Sequence, residues 1–208
     1  MPRRPKPRPY RKRERARQEE ATRQRITEAA VELHGTLGPA KTSISEVARQ
    51  AGVSRVTVYN HFPTEADLFV ACSTHWGTEH PFPDPAPWRA VADPAARLAD
   101  ALRDLYRWYR DNRGMLTHVF RDLPVVPAMR AAMDRSWFVY LDEVVGVLMA
   151  DWDVARGERA ALEAMLRLVL EFRTWESLTT AGLGTPAAAA CASRMVAGAV
   201  PRSPAGNG

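Results

Sequence analysis

The sequence predicts an all-α fold in two parts, a small three-helix domain with a helix-turn-helix layout and a larger helical domain after it. Three observations predict this fold. Apolar residues recur three and four positions apart through most of the 208 residues, and no stretch alternates as a strand would. Pro and Gly residues separate these segments. The segment from Ser43 to Phe62 has the capping residues and spacing of two short helices joined by a tight turn.

The chain begins with a basic, Pro-rich arm, residues 1–20. The arm carries nine basic and three acidic side chains, a net +6, which leaves about −1 for the remainder of a chain whose total charge is +5. It lacks the apolar residues needed to pack, and we predict that it is disordered. A first helix is predicted over residues 21–37. Ile26, Ala30 and Leu33 follow helical spacing there, and Gly38 ends the helix.

The next helix is predicted to begin after Ser43. Ser43 can cap it, and Glu46, three residues later, can complete a capping box. Gly52 follows its C-terminal end, where the chain needs a left-handed residue that glycine adopts without steric cost. These signals agree in register, which favours a helix-turn-helix over a plain helical hairpin in an all-α core.

The second helix of this pair is predicted to present a DNA-reading face. Ser54 can cap it, and Val58 faces inward. A step of about 100° per residue then places Val56 and Asn60 on the opposite side, flanked by Thr57 and Tyr59. An amide can pair with adenine, an apolar group can meet a thymine methyl, and hydroxyls can bind phosphates.

The run from Arg25 to Leu68 resembles the DNA-binding domain of TetR-family transcriptional regulators. The motif TSISEVARQAGVSRVTVYNHF carries the resemblance, which covers about a quarter of the chain. It implies DNA contacts, mostly to phosphates, by the residues that match family positions at Thr42, Arg55, Thr57, Tyr59 and His61. With the outward-facing and capping residues, the predicted DNA-binding set is Thr42, Ser43, Ser54, Arg55, Val56, Thr57, Tyr59, Asn60 and His61.

Two residues depart from the family pattern. Glu65 stands where the family usually has a lysine, and a carboxylate repels phosphate although it suits a helix N-terminus. Val56 stands where the family tends to have a very small residue.

The basic arm has two interpretations, a solubilising tail or an arm that binds phosphates and reaches a minor groove. We favour the second, because the arm adjoins a predicted DNA reader. The two cysteines, Cys72 and Cys191, lie far apart in helical segments, which suits a reducing cytoplasm. The sequence has neither a secretory signal nor an apolar run near the roughly 18 residues that a membrane helix needs. We therefore expect a cytoplasmic protein without a membrane partner.

The rest of the chain is predicted to be helical. Further helices are expected over residues 64–76, from residue 93, over 115–123, 127–152 and 157–181, and after residue 186, with an extended loop over 77–94. The predicted domains are the arm 1–20, the DNA-binding domain 21–68, a ligand-binding and dimerisation domain 69–200, and a disordered tail 201–208.

The C-terminal half is rich in aromatic residues and methionines. The resemblance implies a small-molecule pocket here, and large adaptable side chains suit a mostly apolar ligand. Ordinary core packing is the alternative for most of them. His118, Arg121 and Asp122 lie together in sequence, and either read a polar ligand group or form a solvated face. The predicted ligand-binding set is Trp108, Met115, His118, Trp137, Tyr140, Phe172 and Trp175.

The last two helices are the predicted dimer interface. The alanines over residues 187–192 would let two helices approach closely, although the same stripe could belong to an intramolecular core. The resemblance implies a four-helix interface between two copies, and hence a pseudo-palindromic operator. It also implies a repressor that a ligand releases from DNA through differential affinity for two conformations. The alternatives are an activator and a non-specific architectural DNA-binding protein.

Catalysis is not expected. The five histidines are scattered, and His75 and His80 do not have the one-turn spacing that places two metal ligands on one helix face. No nucleophile motif or glycine-rich phosphate loop is found in the sequence. We expect neither a metal nor a cofactor.

Overall fold

A computed structural model describes the backbone of residues 8–199 and the side chains of residues 12–199. Within that range the regular structure is helical and contains no strand, as the sequence predicted. None of the described helices is long and apolar enough to cross a membrane. The predicted disordered tail, 201–208, and the first seven residues of the arm lie outside the described residues.

The helices follow one another with short connections. They are α1 (Arg8–Thr36), α2 (Ile44–Ala51), α3 (Arg55–His61), α4 (Glu65–Glu79), α5 (Ala86–Arg89), α6 (Pro94–Asp111), α7 (Arg113–Asp122), α8 (Pro127–Met133), α9 (Trp137–Leu148), α10 (Arg159–Leu170), α11 (Phe172–Thr180) and α12 (Thr185–Ala199). Short 3₁₀ turns lie at Pro39–Lys41, Leu123–Val125 and Arg156–Glu158.

The described chain divides into two compact units. The first unit contains the described residues through Glu79 together with Thr117–Ala132, and the second contains His80–Leu116 and the chain from Met133 onward. The whole of α4 therefore belongs to the first unit, and the predicted boundary after residue 68 lies within this helix. The chain crosses between the units within α7 and within α8, so these two helices contribute residues to both.

The prediction of a disordered arm over residues 1–20 is wrong from Arg8 onward, where α1 begins. Residues 12–20 are exposed, so no core supports this stretch. Its Arg, Gln, Glu and Ala residues are strong helix formers, and Arg15 forms an ion pair with Glu19 one turn later, at 3.1 Å. The packed part of α1 nucleates the helix, so its extension toward Arg8 costs little free energy. A lack of apolar residues in the arm therefore does not exclude a helix there.

The core of the first unit lies beneath α1. Ile26 and Ala30 of α1 are buried together with Val47 of α2, Val58 of α3 and Leu68 of α4. Each of these helices contributes the apolar side that the sequence spacing predicted. The core therefore fixes which side of α2 and α3 remains exposed.

A clasp joins the part of α7 in the first unit to the end of α1 and the turn that follows. We use the name for the side chains of His118, Arg121 and Asp122, which form three hydrogen bonds with main-chain groups. His118 Nδ1 lies 2.9 Å from the Gly35 carbonyl oxygen, Arg121 Nη2 donates to the Leu37 carbonyl at 3.1 Å, and the Ala40 amide donates to Asp122 Oδ2 at 2.9 Å. The clasp residues therefore form neither a fully solvated face nor part of a pocket in the second unit.

Gly38 lies beside the clasp and has a φ of 95°. A Cβ there would lie 2.1 Å from Arg121 Nη2 and 2.6 Å from Asp122 Oδ2. Arg121 also donates to Asp122, and this hydrogen bond is the main reason why the pKa of the buried Asp122 carboxyl lies below its usual value. Position 38 therefore requires glycine for two reasons. Glycine adopts the positive φ, and it has no Cβ that would clash with Arg121 and Asp122.

The second unit is built around α6, against which α12 packs. Ala188, Ala189 and Ala192 of α12 are buried within the chain. The intramolecular interpretation of the alanine stripe is therefore correct for these three residues. Ala187 and Ala190 remain exposed on the other side of the helix.

Two helices that the sequence predicted as continuous are broken. Residues 134–136 separate α8 from α9, and Glu171, with φ −70° and ψ 137°, separates α10 from α11. The break at Glu171 frees carbonyl groups at the end of α10. The buried hydroxyl of Tyr106 donates to the Val169 carbonyl at 2.8 Å, and that of Tyr109 donates to the Leu170 carbonyl. These partners come from α6, so the apolar spacing of α10 and α11 could not indicate the break.

Candidate functional site

The first helix of the helix-turn-helix has a complete capping box. The Ser43 hydroxyl accepts a hydrogen bond from the Glu46 amide at 3.2 Å, and the Glu46 carboxylate accepts one from the Ser43 amide at 3.1 Å. The hydrogen bonds that the Glu46 carboxylate accepts from the Ser43 amide and hydroxyl lower the pKa of Glu46. Gly52 ends the helix in the left-handed region, with φ 66° and ψ 38°. The predicted cap and turn are both confirmed.

The second helix, α3, buries one side and exposes the other. Ser54 caps it by accepting a hydrogen bond from the Thr57 amide at 3.0 Å, and Val58 is buried. On the opposite side Val56 is 68% exposed and Tyr59 is 44% exposed. We use the name reading face for the exposed residues Arg55, Val56, Tyr59 and Asn60.

The other predicted DNA-contacting residues differ in exposure and in their hydrogen-bond partners. Ser43 and Ser54 are exposed caps, and the Thr57 hydroxyl lies 2.9 Å from that of Ser54. Thr42 is half-buried, and its hydroxyl donates to the Gly38 carbonyl at 2.9 Å. His61 is also half-buried at the end of α3.

Glu65 and Arg23 lie near the limits of the helix-turn-helix. Glu65 is the first residue of α4 and is exposed there. Arg23 of α1 was not predicted as part of the site. Its guanidinium donates to the His61 carbonyl at 2.7 Å and lies 4.1 Å from the centroid of the Phe62 ring. Arg23 therefore fixes the C-terminal end of α3, and a helical arginine offers no local signal of this role.

The second unit contains an aromatic cluster that includes five residues of the predicted ligand-binding set. Trp108 and Trp137 stack with their ring centroids 5.5 Å apart. Tyr109 lies 5.5 Å from Phe172 and 5.9 Å from Trp175. We use the name aromatic cluster for Phe82, Trp108, Tyr109, Trp137, Tyr140, Phe172 and Trp175.

Phe82 and Tyr109 are the two members of the cluster outside the predicted ligand-binding set, and Phe82 is the one in a loop. The Phe82 ring lies 5.4 Å from Trp108, 5.2 Å from Trp137 and 4.7 Å from Tyr140. The Tyr140 hydroxyl donates to the carbonyl of the next residue, Pro83, at 3.0 Å, and burial raises the pKa of Tyr140. Phe82 lies in a Pro-rich loop, where a lone aromatic residue between prolines was the available signal.

One polar atom of the cluster lacks a partner. The indole Nε1 of Trp175 is buried and makes no hydrogen bond within the described chain. The two remaining predicted ligand-binding residues are not brought into the cluster. Met115 is half-buried on α7, and His118 belongs to the clasp of the first unit.

His34 of α1 is a buried histidine that the sequence analysis did not select. It is 7% exposed, and its ring stacks on Phe69 with the centroids 5.0 Å apart and an interplanar angle of 12°. Burial lowers the pKa of His34 from 6.5 to about 4, and the charge of Asp122 opposes this shift. The imidazole is therefore neutral near pH 7.

A capped pair of short helices, with the second helix exposing arginine, amide and apolar groups, defines the class of helix-turn-helix DNA-binding proteins. Residues 26–72 match the family model described as bacterial regulatory proteins, tetR family. The chain therefore carries a segment similar to the DNA-binding domain of that family. It is also 44% identical over 48 residues to the HTH-type transcriptional regulator AcrR of Shigella flexneri. That match spans 23% of this chain and 22% of AcrR.

Solved structures resemble nearly the whole chain. A TetR-like transcriptional regulator from Rhodococcus sp. RHA1 has a TM-score of 0.58 at 18% identity, covering 84% of this chain and 93% of its own. NalD of Pseudomonas aeruginosa, the secondary repressor of the MexAB-OprM multidrug efflux pump, has a TM-score of 0.59 at 22% identity, with coverages of 88% and 98%. The multidrug binding protein EbrR, complexed with imidazole, has a TM-score of 0.58 at 23% identity, with coverages of 89% and 98%. At these identities the likeness shows the fold.

His34 predicts an acid-sensitive first unit. The unfolded chain protonates this residue near pH 6.5 and the folded chain only near pH 4, so the unfolded state binds more protons between these values. The contribution of His34 to the free energy of unfolding is therefore fully present above pH 6.5. It falls by about 1.4 kcal/mol per pH unit as the pH drops toward 4. Urea unfolding at pH 7, 6 and 5 should show a steeper loss for the wild type than for His34→Gln. Equal slopes would contradict this assignment.

Proposed function

We propose that this DNA-binding transcriptional regulator is a ligand-responsive repressor that binds a pseudo-palindromic operator as a homodimer. The reading face of α3 carries the proposal. Arg55 and Asn60 offer hydrogen-bond donors to base edges and phosphates, and Val56 offers an apolar contact for a thymine methyl. A surface needed only for solubility would not expose a valine between them.

The capped ends of the two helices support phosphate contacts beside the reading face. Ser43 and Ser54 are exposed at the N-termini of α2 and α3, where amide groups and the helix dipole favour an anion. Thr42 and Tyr59 add hydroxyl groups, and His61 ends α3. Glu65 lies near these groups in sequence and opposes a phosphate, which reduces the expected affinity of this head relative to one with a lysine there.

The homodimer is proposed to use α10 and α12. Their buried sides pack inside the second unit, while Leu168 of α10 and Met195 of α12 are each 51% exposed. Ala164 of α10, and Ala187 and Ala190 of α12, are small exposed residues on the same helices. Large apolar side chains among small residues suit close packing against a second copy.

The ligand is proposed to bind in the aromatic cluster. The buried Trp175 Nε1 without a partner is a hydrogen-bond donor that a ligand acceptor could satisfy. Phe82 comes from a loop and packs on three cluster rings, so its displacement would make room without breaking a helix. NalD and EbrR support a link to small molecules, through the efflux pump that one represses and the imidazole bound by the other.

The coupling between ligand and DNA is proposed to run through α7. This helix begins in the second unit and ends at the clasp, whose hydrogen bonds reach the carbonyls of Gly35 and Leu37 and the amide of Ala40. A ligand that favours a different position of α7 would bias the segment that leads into α2. The effect on DNA affinity equals the ligand's differential affinity for the two states.

A footprint tests the function directly. The purified protein should protect a pseudo-palindrome in the DNA flanking its own gene, at physiological salt with excess competitor DNA. Asn60→Ala should weaken binding by about 1–3 kcal/mol and relax specificity at one position in each half-site. Gln18→Ala, on the exposed part of α1, is the control variant. Binding without a preferred site would favour a non-specific architectural protein.

The basic N-terminal segment is proposed to add phosphate contacts. Removal of residues 2–17 should lower DNA affinity and reduce the slope of log K against log salt, because fewer counterions are released on binding. Fluorescence anisotropy across a salt series measures both quantities. An unchanged slope would show that the segment does not contact DNA.

The dimer is tested by charge substitution on its proposed surface. Leu168→Asp should shift the protein from dimer to monomer, because two carboxylates would be buried without partners at the symmetric interface. Val139→Asp on α9, where the native side chain is 58% exposed, is the matched control. Sedimentation velocity distinguishes the two forms, and a dimeric Leu168→Asp variant would exclude this interface.

A further inference from the structure

A cavity of about 260 Å³ lies within the first unit. Its walls come from the end of α1, the 39–41 turn, the start of α2, α4 and the segment 125–128. At about 30 Å³ per water molecule its volume equals roughly nine waters, which is room for a compound with a single ring. Most of the residues that line it are apolar, and they include Pro39, Ile44, Val47, Leu68, Phe69 and Val126.

His34 is a buried polar group on this cavity. Its ring lines the cavity and stacks on Phe69, which leaves its edge as the polar part. Neither ring nitrogen has a hydrogen-bond partner among the described residues. Because burial holds its pKa near 4, the neutral ring offers one donor and one acceptor near pH 7. The polar edge of the imidazole can therefore hydrogen-bond a polar group of a molecule in the cavity.

Glu65 gives the cavity its charge. Among the lining side chains it alone carries a full charge near neutral pH, since His34 is neutral there. It forms no ion pair or hydrogen bond with any described residue. A carboxylate beside an apolar wall favours a cation and disfavours an anion. Glu65 is also one of the two residues that depart from the pattern of the family that residues 25–68 resemble.

We propose that this cavity binds a small protonated amine that carries one apolar ring. The ring packs against Leu68 and Phe69, and the ammonium group donates to the Glu65 carboxylate. The His34 imidazole lines the same cavity. Carboxylic acids of the same size are disfavoured by the charge of Glu65.

The position of the cavity links such a ligand to DNA binding. Thr42 and Ser43 also line it, and both belong to the predicted DNA-contacting set. In this respect the inference rests on the proposed function: an occupied cavity would shift operator affinity through the start of α2. Binding of the amine itself does not depend on DNA and is tested without it.

The experiment uses the full-length ¹⁵N-labelled protein without DNA, titrated with benzylamine and followed by amide chemical shifts. Benzyl alcohol and benzoate are the neutral and anionic probes of matched shape. We expect a Kd on the order of 1 mM for a ligand of this size, with the shifts concentrated at α1, α2 and α4 residues around the cavity. Benzyl alcohol should bind about threefold more weakly than benzylamine, and benzoate about threefold more weakly again, because Glu65 is exposed and its charge is screened.

Variants separate the charge from the apolar space. Glu65→Gln should remove the advantage of benzylamine over benzyl alcohol, whereas Glu79→Gln, an exposed glutamate at the other end of α4, should keep it. Ala128→Trp should fill the cavity and abolish binding of both probes, with its amide spectrum reporting whether the protein is folded. Equal losses for the two glutamine variants, shifts spread over the surface, or equal binding of amine and alcohol would each overturn the proposal. A failed footprint with intact benzylamine binding would reject the proposed function and leave this site standing.

Discussion

The burial of one side of α3 beneath α1 is the constraint on which the rest of the first unit depends. Val58 and Phe62 are buried in the shared core, so α3 cannot rotate without exposing a large apolar area. The rotation that this burial fixes places Val56, Tyr59 and Asn60 in solvent. Arg23 adds a polar constraint at the C-terminal end by holding the His61 carbonyl. The orientation of the reading face is thus a consequence of core packing.

A second constraint is the return of the chain from the second unit to the first. Thr117–Ala132 belongs with the helix-turn-helix, and the clasp ties it to the end of α1 through main-chain groups. Because the partners of the clasp on α1 and the following turn are main-chain groups, the side chains at those positions do not determine it. The exception is Gly38, where a side chain would fill the space that the clasp occupies. Residues 125–128 of this segment also line the cavity that His34 and Glu65 line. One stretch of about sixteen residues therefore carries both the proposed coupling and the proposed amine site.

In the second unit, polar side chains that bind the carbonyl groups at helix ends position the helices together with apolar packing. Tyr106 and Tyr109 satisfy carbonyls where α10 stops, and Arg97 of α6 donates to the Val147 and Ala150 carbonyls near the end of α9. Because buried carbonyls need partners, these side chains decide where the helices end. The aromatic cluster lies among helices positioned in this way. Phe82 differs from the other cluster residues because it comes from a loop.

The sequence by itself determined the helix-turn-helix, since its signals are local: the Ser43 and Glu46 cap, Gly52 in the turn, and Val58 four residues before Phe62. It also determined the all-α class and most of the aromatic residues that cluster. Only the tertiary structure decided where long helices break, because the groups that stabilise the break at Glu171 come from α6. It likewise decided that residues 8–20 continue α1, that the inner alanines of α12 face their own chain, and that His118 serves the first unit. Local spacing reports which side of a helix is apolar, whereas the partner of that side depends on residues far away in sequence.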